Sequence, residues 1–577
     1  MPELLPSTLI ALLTSIAFVF GTLVALSLAG GFLLYPFRKA YAVYLAPTAG
    51  LSCQAIGIGG LYLVGGLSFQ LSATLTFAFT SVLTITADVL RPRPIRIYGE
   101  LLAAMLCASV LLTPIGVGTT VLSGSPSIAD LGTDAFNYAQ AADWVRTHKA
   151  RDLSIRMPES KARTLLIHET RFGAFSFLAT IATFRQEPQS LFAFQLAATT
   201  ALIAALLGAA GSFAYSPVSF VFLALTLVMS HWFDFGHTGF FGKLLAYPTA
   251  LALAGLVLRE RPTTLKVTSI TFLSCATSVL HSGYAAALIL ATALLPYALI
   301  AARHRQALPI AATCALTVFL PIASLGALTH WVSPYQFPDW NVGWAYAIPR
   351  VLDLEQQGMN ATGLSSSGLW ALVAIQVALT IAALSLCWRV RAAPSTALLA
   401  GPIILLFGLY LADKHAVAFQ LLGVVYPMIL VGTVLLGERV PLFAGSLAVL
   451  MAIIHLPHAY SAMREFTTGP AAVIFTRAAF DNISGFSRRD PLLIDTTVPQ
   501  AAYAMRYIVE AAPSSADHAL CWTKASWQLS GAPGPMPSCE RHPLRFCLRH
   551  VHDRPSKDSP IWASSSLIIV PCEPAAQ

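Results

Sequence analysis

The chain reads as an α-helical polytopic membrane protein of about fourteen transmembrane helices with a small outer α/β domain at its C-terminal end, and three observations predict this. Hydrophobic residues make up 56% of its 577 positions and charged residues only 11%, against roughly 25% charged in a soluble domain. Apolar runs close to the ~20 residues that cross a bilayer recur along most of the length. Beyond residue 458 the long runs stop, and short pieces with strand or helix periodicity take over.

The spans expected in order are 8-34, 42-66, 68-90, 97-116, 190-211, 216-232, 242-258, 266-280, 284-301, 307-329, 367-387, 396-411, 415-436 and 440-457. The first is too long for a cleaved signal peptide and lacks its basic start and small-residue cleavage site. Three parts follow: additional helices over 1-95, a core over 96-457 that includes a first long outer loop at 117-189, and an outer domain over 458-577. Lysine and arginine near span ends resist translocation. With fourteen spans the clusters Arg38-Lys39, Arg91/Arg93/Arg96, Arg259/Arg261/Lys266, Arg303/Arg305, Arg389/Arg391 and Arg439 all fall on one side. That side is then the cytoplasm, and both termini, the 117-189 loop and the 330-366 loop lie outside. The net charge of +8 is accounted for by topology, without a nucleic-acid partner.

In the tail, Pro491 to Asp495 and Ser564 to Val570 read as strands and Gln500 to Ala511 as a helix. Cys53, Cys107, Cys275, Cys314 and Cys387 sit in or beside apolar runs, whereas Cys521, Cys539, Cys547 and Cys572 lie in the tail. Four cysteines in an oxidising compartment imply two disulfides with three possible pairings. No CxxC pair points to zinc.

The polar loop after the fourth span carries the chemistry. In Gly132-Thr133-Asp134-Ala135-Phe136-Asn137-Tyr138-Ala139-Gln140-Ala141-Ala142-Asp143-Trp144, the residues Asp134, Tyr138, Ala142 and Val145 recur at helical spacing. Thr133 or Asp134 can cap such a helix by accepting from its first free amides. The other reading of Asp134 comes from a likeness. The stretch resembles the first outer loop of the GT-C superfamily of integral membrane glycosyltransferases, which includes protein O-mannosyltransferases, aminoarabinose transferases and oligosaccharyltransferase catalytic subunits. There an Asp soon after the first core helix is followed by an aromatic and small residues, as Asp134, Tyr138 and Ala142 are here. The likeness runs from about Arg96 to the end and leaves the first three helices outside it.

What the resemblance implies is transfer of a sugar from a polyprenyl-phosphate donor to a glycan, lipid or protein acceptor, with inversion, at the outer face of the membrane; the compact basic turns, with no eukaryotic-looking targeting segment, lead to the expectation of a bacterial inner membrane. Asp134 would be the general base that takes the acceptor hydroxyl's proton. The leaving phosphate needs cations at the same depth, and Lys243, Lys414, His415, Arg350 and Arg171 are the candidates. Lysine in such a turn also simply snorkels to headgroups. Two outward turns add His231, Asp234 and His237 in one, and His281 in the other, near the same site. Aromatic residues from Trp331 to Tyr346 suit sugar faces or an interfacial segment equally. No cofactor is expected: a divalent metal is possible but not favoured, because the Asp134 loop holds no Asp-x-Asp or Asp-Glu pair. Two other classes compete. A lipid-linked glycan ligase or polymerase works at the same face, usually with key Arg and His groups in a late outer loop. A secondary transporter needs buried coupling charges, and the spans hold few besides Asp88 and Glu100.

Overall fold

A computed structural model describes residues 4–37, 40–123, 127–128, 133–152, 172–230, 232, 241–260, 263–281, 290, 294–295, 297–298, 309–310, 312–317, 343–354, 366–415, 418, 421–468, 473–474, 481–483, 492–498, 502, 507, 520–529, 546–550, 560, 562–563 and 567–571. In chain order its helices are α1 Leu4–Gly30, α2 Ala46–Gly59, α3 Phe69–Leu90, α4 Ile95–Ser123, α5 Thr133–Thr147 and α6 Phe172–Phe184. Then come α7 Phe194–Phe213, α8 Pro217–Val228, α9 Phe241–Arg259, α10 Thr264–Leu280 and α11 Trp344–Val351. The last are α12 Ser366–Val390, α13 Ala393–Leu411, α14 Val425–Leu436, α15 Pro441–Thr468 and α16 Lys524–Leu529.

Among the described residues seven helical stretches are long and apolar enough to cross a membrane: Thr8–Leu34, Phe69–Leu90, Ile95–Val117, Ser190–Phe213, Phe241–Arg259, Ser367–Val390 and Ala393–Leu411. The molecule is thus an α-helical membrane protein. Most of the expected spans 284-301 and 307-329 lie outside the described residues. The expected polar loop 117-189 needs a correction. It contains α6, whose sequence Phe-Gly-Ala-Phe-Ser-Phe-Leu-Ala-Thr-Ile-Ala-Thr-Phe is apolar and mostly buried. Thirteen residues rise only about 20 Å, so a span-length reading of hydropathy passes over it.

Glycines set how closely the first helices approach. A Cβ on Gly50 would lie 1.9 Å from the Leu26 carbonyl oxygen, and one on Gly30 would lie 2.2 Å from the Gly50 nitrogen. The backbones of α1 and α2 therefore touch, the close contact that small residues permit between apolar helices. α2 continues as a π-helical turn over Gly60–Val64 and packs among α1, α3, α6, α7 and α10.

The two ends of the bundle differ in chemistry. At one end Arg93 donates to the Leu34 carbonyl at 2.6 Å, and Arg91 lies over the Tyr35 ring. Gly211 packs on Tyr41 and Tyr44, while Arg259 donates to the Phe213 carbonyl and pairs with Glu438 at 2.7 Å. Lys266 pairs with Glu260 at 2.8 Å. Basic turns far apart in sequence thus share an end. At the other end Tyr62 donates to the His148 carbonyl at 3.1 Å and stacks on Phe172.

Strands β1 Ser127–Ile128 and β2 Val473–Ile474 pair antiparallel, tying the segment after α4 to the segment after α15. The tail builds a mixed five-stranded sheet from β3 Leu492–Ile494, β4 Leu520–Trp522, β5 Phe546–His550, β6 Trp562–Ala563 and β7 Leu567–Pro571, in the order β4-β3-β5-β7-β6. β3 is parallel to both neighbours, and the remaining pairs are antiparallel. One sheet face, with Leu492, Ile494, Trp522, Leu548 and Ile569, joins the main hydrophobic core. The other carries Leu493, Cys521, Cys547, Ile568 and Val570. Cys521 and Cys547 are both disulfide-bonded. They sit opposite Leu493 from its two sides, about 9.6 Å apart at two strand spacings. A disulfide reaches roughly 7 Å between Cα atoms at most, so they do not bridge one another. One of the three pairings is thereby removed, and their partners lie outside the described residues.

Candidate functional site

The site is built around α5. Thirteen of its positions from Ala135 to Thr147 have described side chains, and eight of those are buried: Ala135, Phe136, Asn137, Tyr138, Ala139, Ala141, Ala142 and Val145. A helix buried nearly all round must be held between two bodies. Tyr138 marks the face on the bundle: its hydroxyl accepts from the Gly242 amide at 3.2 Å, and its ring meets Phe175 and Phe241. Phe136 and Asp143, seven residues apart and within about 20° on the helical wheel, mark the other. Phe136 meets the Tyr507 ring at 6.0 Å. The Asp143 carboxylate accepts from the Tyr507 hydroxyl at 2.6 Å and from the Ser190 amide at 2.7 Å.

Asp134 is the second residue of α5, inside the first turn, where a carboxylate is favoured by the helix's positive end. Its side chain lies outside the described residues. The backbone places position 134 one turn before Tyr138, about 40° away and so on the bundle face. The helix is described from Thr133, one residue earlier than a cap at Thr133 would require and two earlier than a cap at Asp134, differences within the usual spread of helix ends.

Opposite that face stands the start of α9. Gly242 is needed there, since a Cβ would fall 2.6 Å from the Tyr138 hydroxyl and 3.4 Å from His281 Nδ1. Next to it Lys243 is buried, with its ammonium 6.0 Å from the Tyr247 ring centroid. His281, also buried, lies 5.7 Å from the same ring. An ammonium in the first turn of a helix adds to the dipole's positive end. Tyr138, Lys243 and His281 are thus brought together, while Arg171, His231, Asp234 and His237 lie outside the described residues.

Lys414 and His415 belong to a second group. Asp413 takes a φ of +52°, and the Lys414 amide returns to the Leu409 carbonyl, which closes α13 and makes the turn. Lys414 is exposed, as a snorkelling lysine is. His415 pairs with Asp413 at 2.5 Å, and its ring meets Trp344 at 4.9 Å. Trp344 opens α11, which leads to buried Arg350 and Asp353. Buried His455 of α15 shares a 2.9 Å hydrogen bond with the Asp353 carbonyl, and its ring lies 3.8 Å from that of Tyr426. Trp232 donates to the Gly423 carbonyl at 2.6 Å. Residues from Trp331 to Asn341 lie outside the described residues.

The sequence reading missed Asp143, Tyr507, Asp353 and His455. His455 carried a signal, as a lone imidazole in the apolar run Met451-Ala452-Ile453-Ile454-His455. Asp143 and Tyr507 carried none, being 364 residues apart. Among the described residues there is no cluster of three or more metal-ligating side chains.

The fold and this end of the bundle define an α-helical membrane protein with buried polar residues beneath a helix that is itself mostly buried. No protein-family model matches the chain, and no curated protein is similar to it.

Proposed function

We propose that the chain is a GT-C-type membrane glycosyltransferase that moves a sugar from a polyprenyl phosphate to a glycan, lipid or protein acceptor, with Asp134 as the general base. One observation carries the reading. The helix that Asp134 opens is docked on the bundle end opposite the basic turns, with position 134 on the face whose Tyr138 accepts from the Gly242 amide, beside Lys243 in the chain and His281 in space. A polyprenyl donor keeps its tail in the bilayer and its phosphate at the interface. Lys243 and the start of α9 make an electropositive point that suits the departing phosphate, and His281 stands close enough to hold a donor or acceptor oxygen. Asp134 would take the acceptor's proton as its oxygen attacks the anomeric carbon and the bond to phosphate breaks, in one inverting displacement.

The topology belongs to the same proposal: fourteen crossings in a bacterial inner membrane, the basic end in the cytoplasm, and both termini and the sheet outside. Among the described residues helices fall in twelve of the fourteen expected ranges, seven of them long and apolar enough to cross, and the disulfide-bonded state of Cys521 and Cys547 suits an oxidising compartment. The glycolipid and glycan profile of cells that depend on this protein, with Asp134→Asn in place, tests the assignment. A carboxylate acting as base contributes about 10²–10⁴-fold, so the glycosylated product is expected to disappear at normal protein level. An unchanged profile sinks it.

A lipid-linked glycan ligase is the second reading, favoured by one observation: Arg350 and His455 gather around Asp353 in late elements. Under it, Arg350→Gln abolishes product while Asp134→Asn does not.

A further inference from the structure

The C-terminal tail does more than cover the bundle. Asp143 is reached from three directions. Ser190, at the turn leading into α7, presents its amide at 2.7 Å. Tyr507 of the tail presents its hydroxyl at 2.6 Å. Arg146, one turn on in α5, lies 3.3 Å away and also donates to the Glu187 carbonyl at 2.7 Å. Tyr507 is 2% exposed, and the Leu191 backbone reaches it as well. Three segments distant in sequence are therefore fastened at one carboxylate.

We propose that Tyr507 and Asp143 are positioning residues: the tail clasps α5 through them and so fixes the placement of Asp134 over the bundle end. The proposal rests on the glycosyltransferase reading above. The geometry supports it in two ways. Asp134 and Asp143 are nine residues apart, about 13.5 Å along a continuous helix and half a turn round it. A rigid rod held at one end from outside keeps its other end pressed inward, so loosening the clasp moves position 134 by an amount that matters to proton transfer. The clasp is also a poor choice for stability alone. Burial pushes the Asp143 carboxyl above the usual carboxylate range despite the bonds from Tyr507 and Ser190 and the charge of Arg146, a desolvation cost that apolar packing at the same place would not carry.

Tyr507→Phe removes the hydroxyl and keeps the ring on Phe136. The full-length chain in lipid nanodiscs, with polyprenyl-phosphate sugars and a membrane glycan extract as acceptor, is compared with the native protein and with Asp134→Asn. Amide exchange is read over residues 133–147 and transfer is read as kcat and KM. The expected result is about tenfold faster exchange in that helix and a kcat about tenfold lower, with KM within twofold of native. In an Asp134→Asn background, Tyr507→Phe is expected to add nothing to the residual rate, because both act on one step. Faster exchange with unchanged kcat overturns the positioning role, and unchanged exchange overturns the clasp itself. Should Asp134→Asn retain full transfer, the reading of Asp134 falls and the positioning role with it, while the exchange data still decide whether the clasp exists.

Discussion

Asp143 makes a pH prediction whose sign is the reverse of an ordinary surface carboxylate. Burial raises its pKa from the usual 3.8 more than Tyr507, Ser190 and Arg146 lower it. The folded state therefore favours the protonated form. Its contribution to stability is fully present below the unfolded pKa, falls as pH rises through the window up to the raised value, and stays lost above it. Asp143→Asn removes this dependence. Relative to the native protein the variant is expected to gain thermal stability steadily from pH 4 upward and then level off, whatever constant offset the lost hydrogen bonds impose. A melting-temperature difference that is flat with pH contradicts the assignment. Gly242 gives a second residue-scale prediction. The Cβ of Gly242→Ala would press on the Tyr138 hydroxyl at 2.6 Å, so α5 must shift to make room. Transfer is expected to fall about tenfold while the melting temperature changes little, since a sub-ångström misplacement costs rate more than stability. Equal kcat for the two proteins would show that the contact is slack.

At the scale of elements, the α1–α2 contact is the most constrained feature of the bundle. Gly50→Val would put its side chain onto the Leu26 carbonyl, where the nearest atoms are all backbone and cannot yield as a flexible side chain would. Overpacking of this kind typically costs about 1–3 kcal/mol, occasionally more, and here the helices must separate. The variant is expected to lose its monodisperse peak in detergent size-exclusion chromatography. Gly21→Val is the control, as nothing stands within 4 Å of its Cβ. α2 also shows where span-length reading succeeds and where it fails. Residues 42-66 are apolar apart from Thr48, Ser52 and Gln54, and a helical run over Ala40–Val64 follows, interrupted by 3-10 and π turns. α6 is equally apolar but short, and its burial against α5 and α2 depends on neighbours that local hydropathy does not report.

At the scale of the whole molecule, the convergence of basic turns on one end makes an accessibility prediction. In intact cells a membrane-impermeant maleimide is expected to label Lys149→Cys and to spare Pro92→Cys until the membrane is broken. The reverse pattern would invert the proposed topology. Native Cys521 and Cys547 are expected to stay unlabelled in denatured, unreduced protein and to react after reduction, as disulfide-bonded thiols do.

Much of this protein was legible in its residues. Low charge and long apolar runs fix the solvent as lipid, because a bilayer core leaves helices few alternatives. The period of 3.6 in Asp134, Tyr138, Ala142 and Val145 places α5 and the face that 134 shares with 138. The strands at Leu492–Ile494 and Leu567–Pro571 follow from local β-periodicity in the same way. Tertiary structure alone decided that α5 is gripped from both sides, that Tyr507 reaches Asp143, that Asp353 meets His455, and that Cys521 and Cys547 are held apart by Leu493. Solvent preference and helix period are properties of neighbours along the chain. The clasp and the polar clusters are meetings of residues up to 364 positions apart, and only packing brings those together.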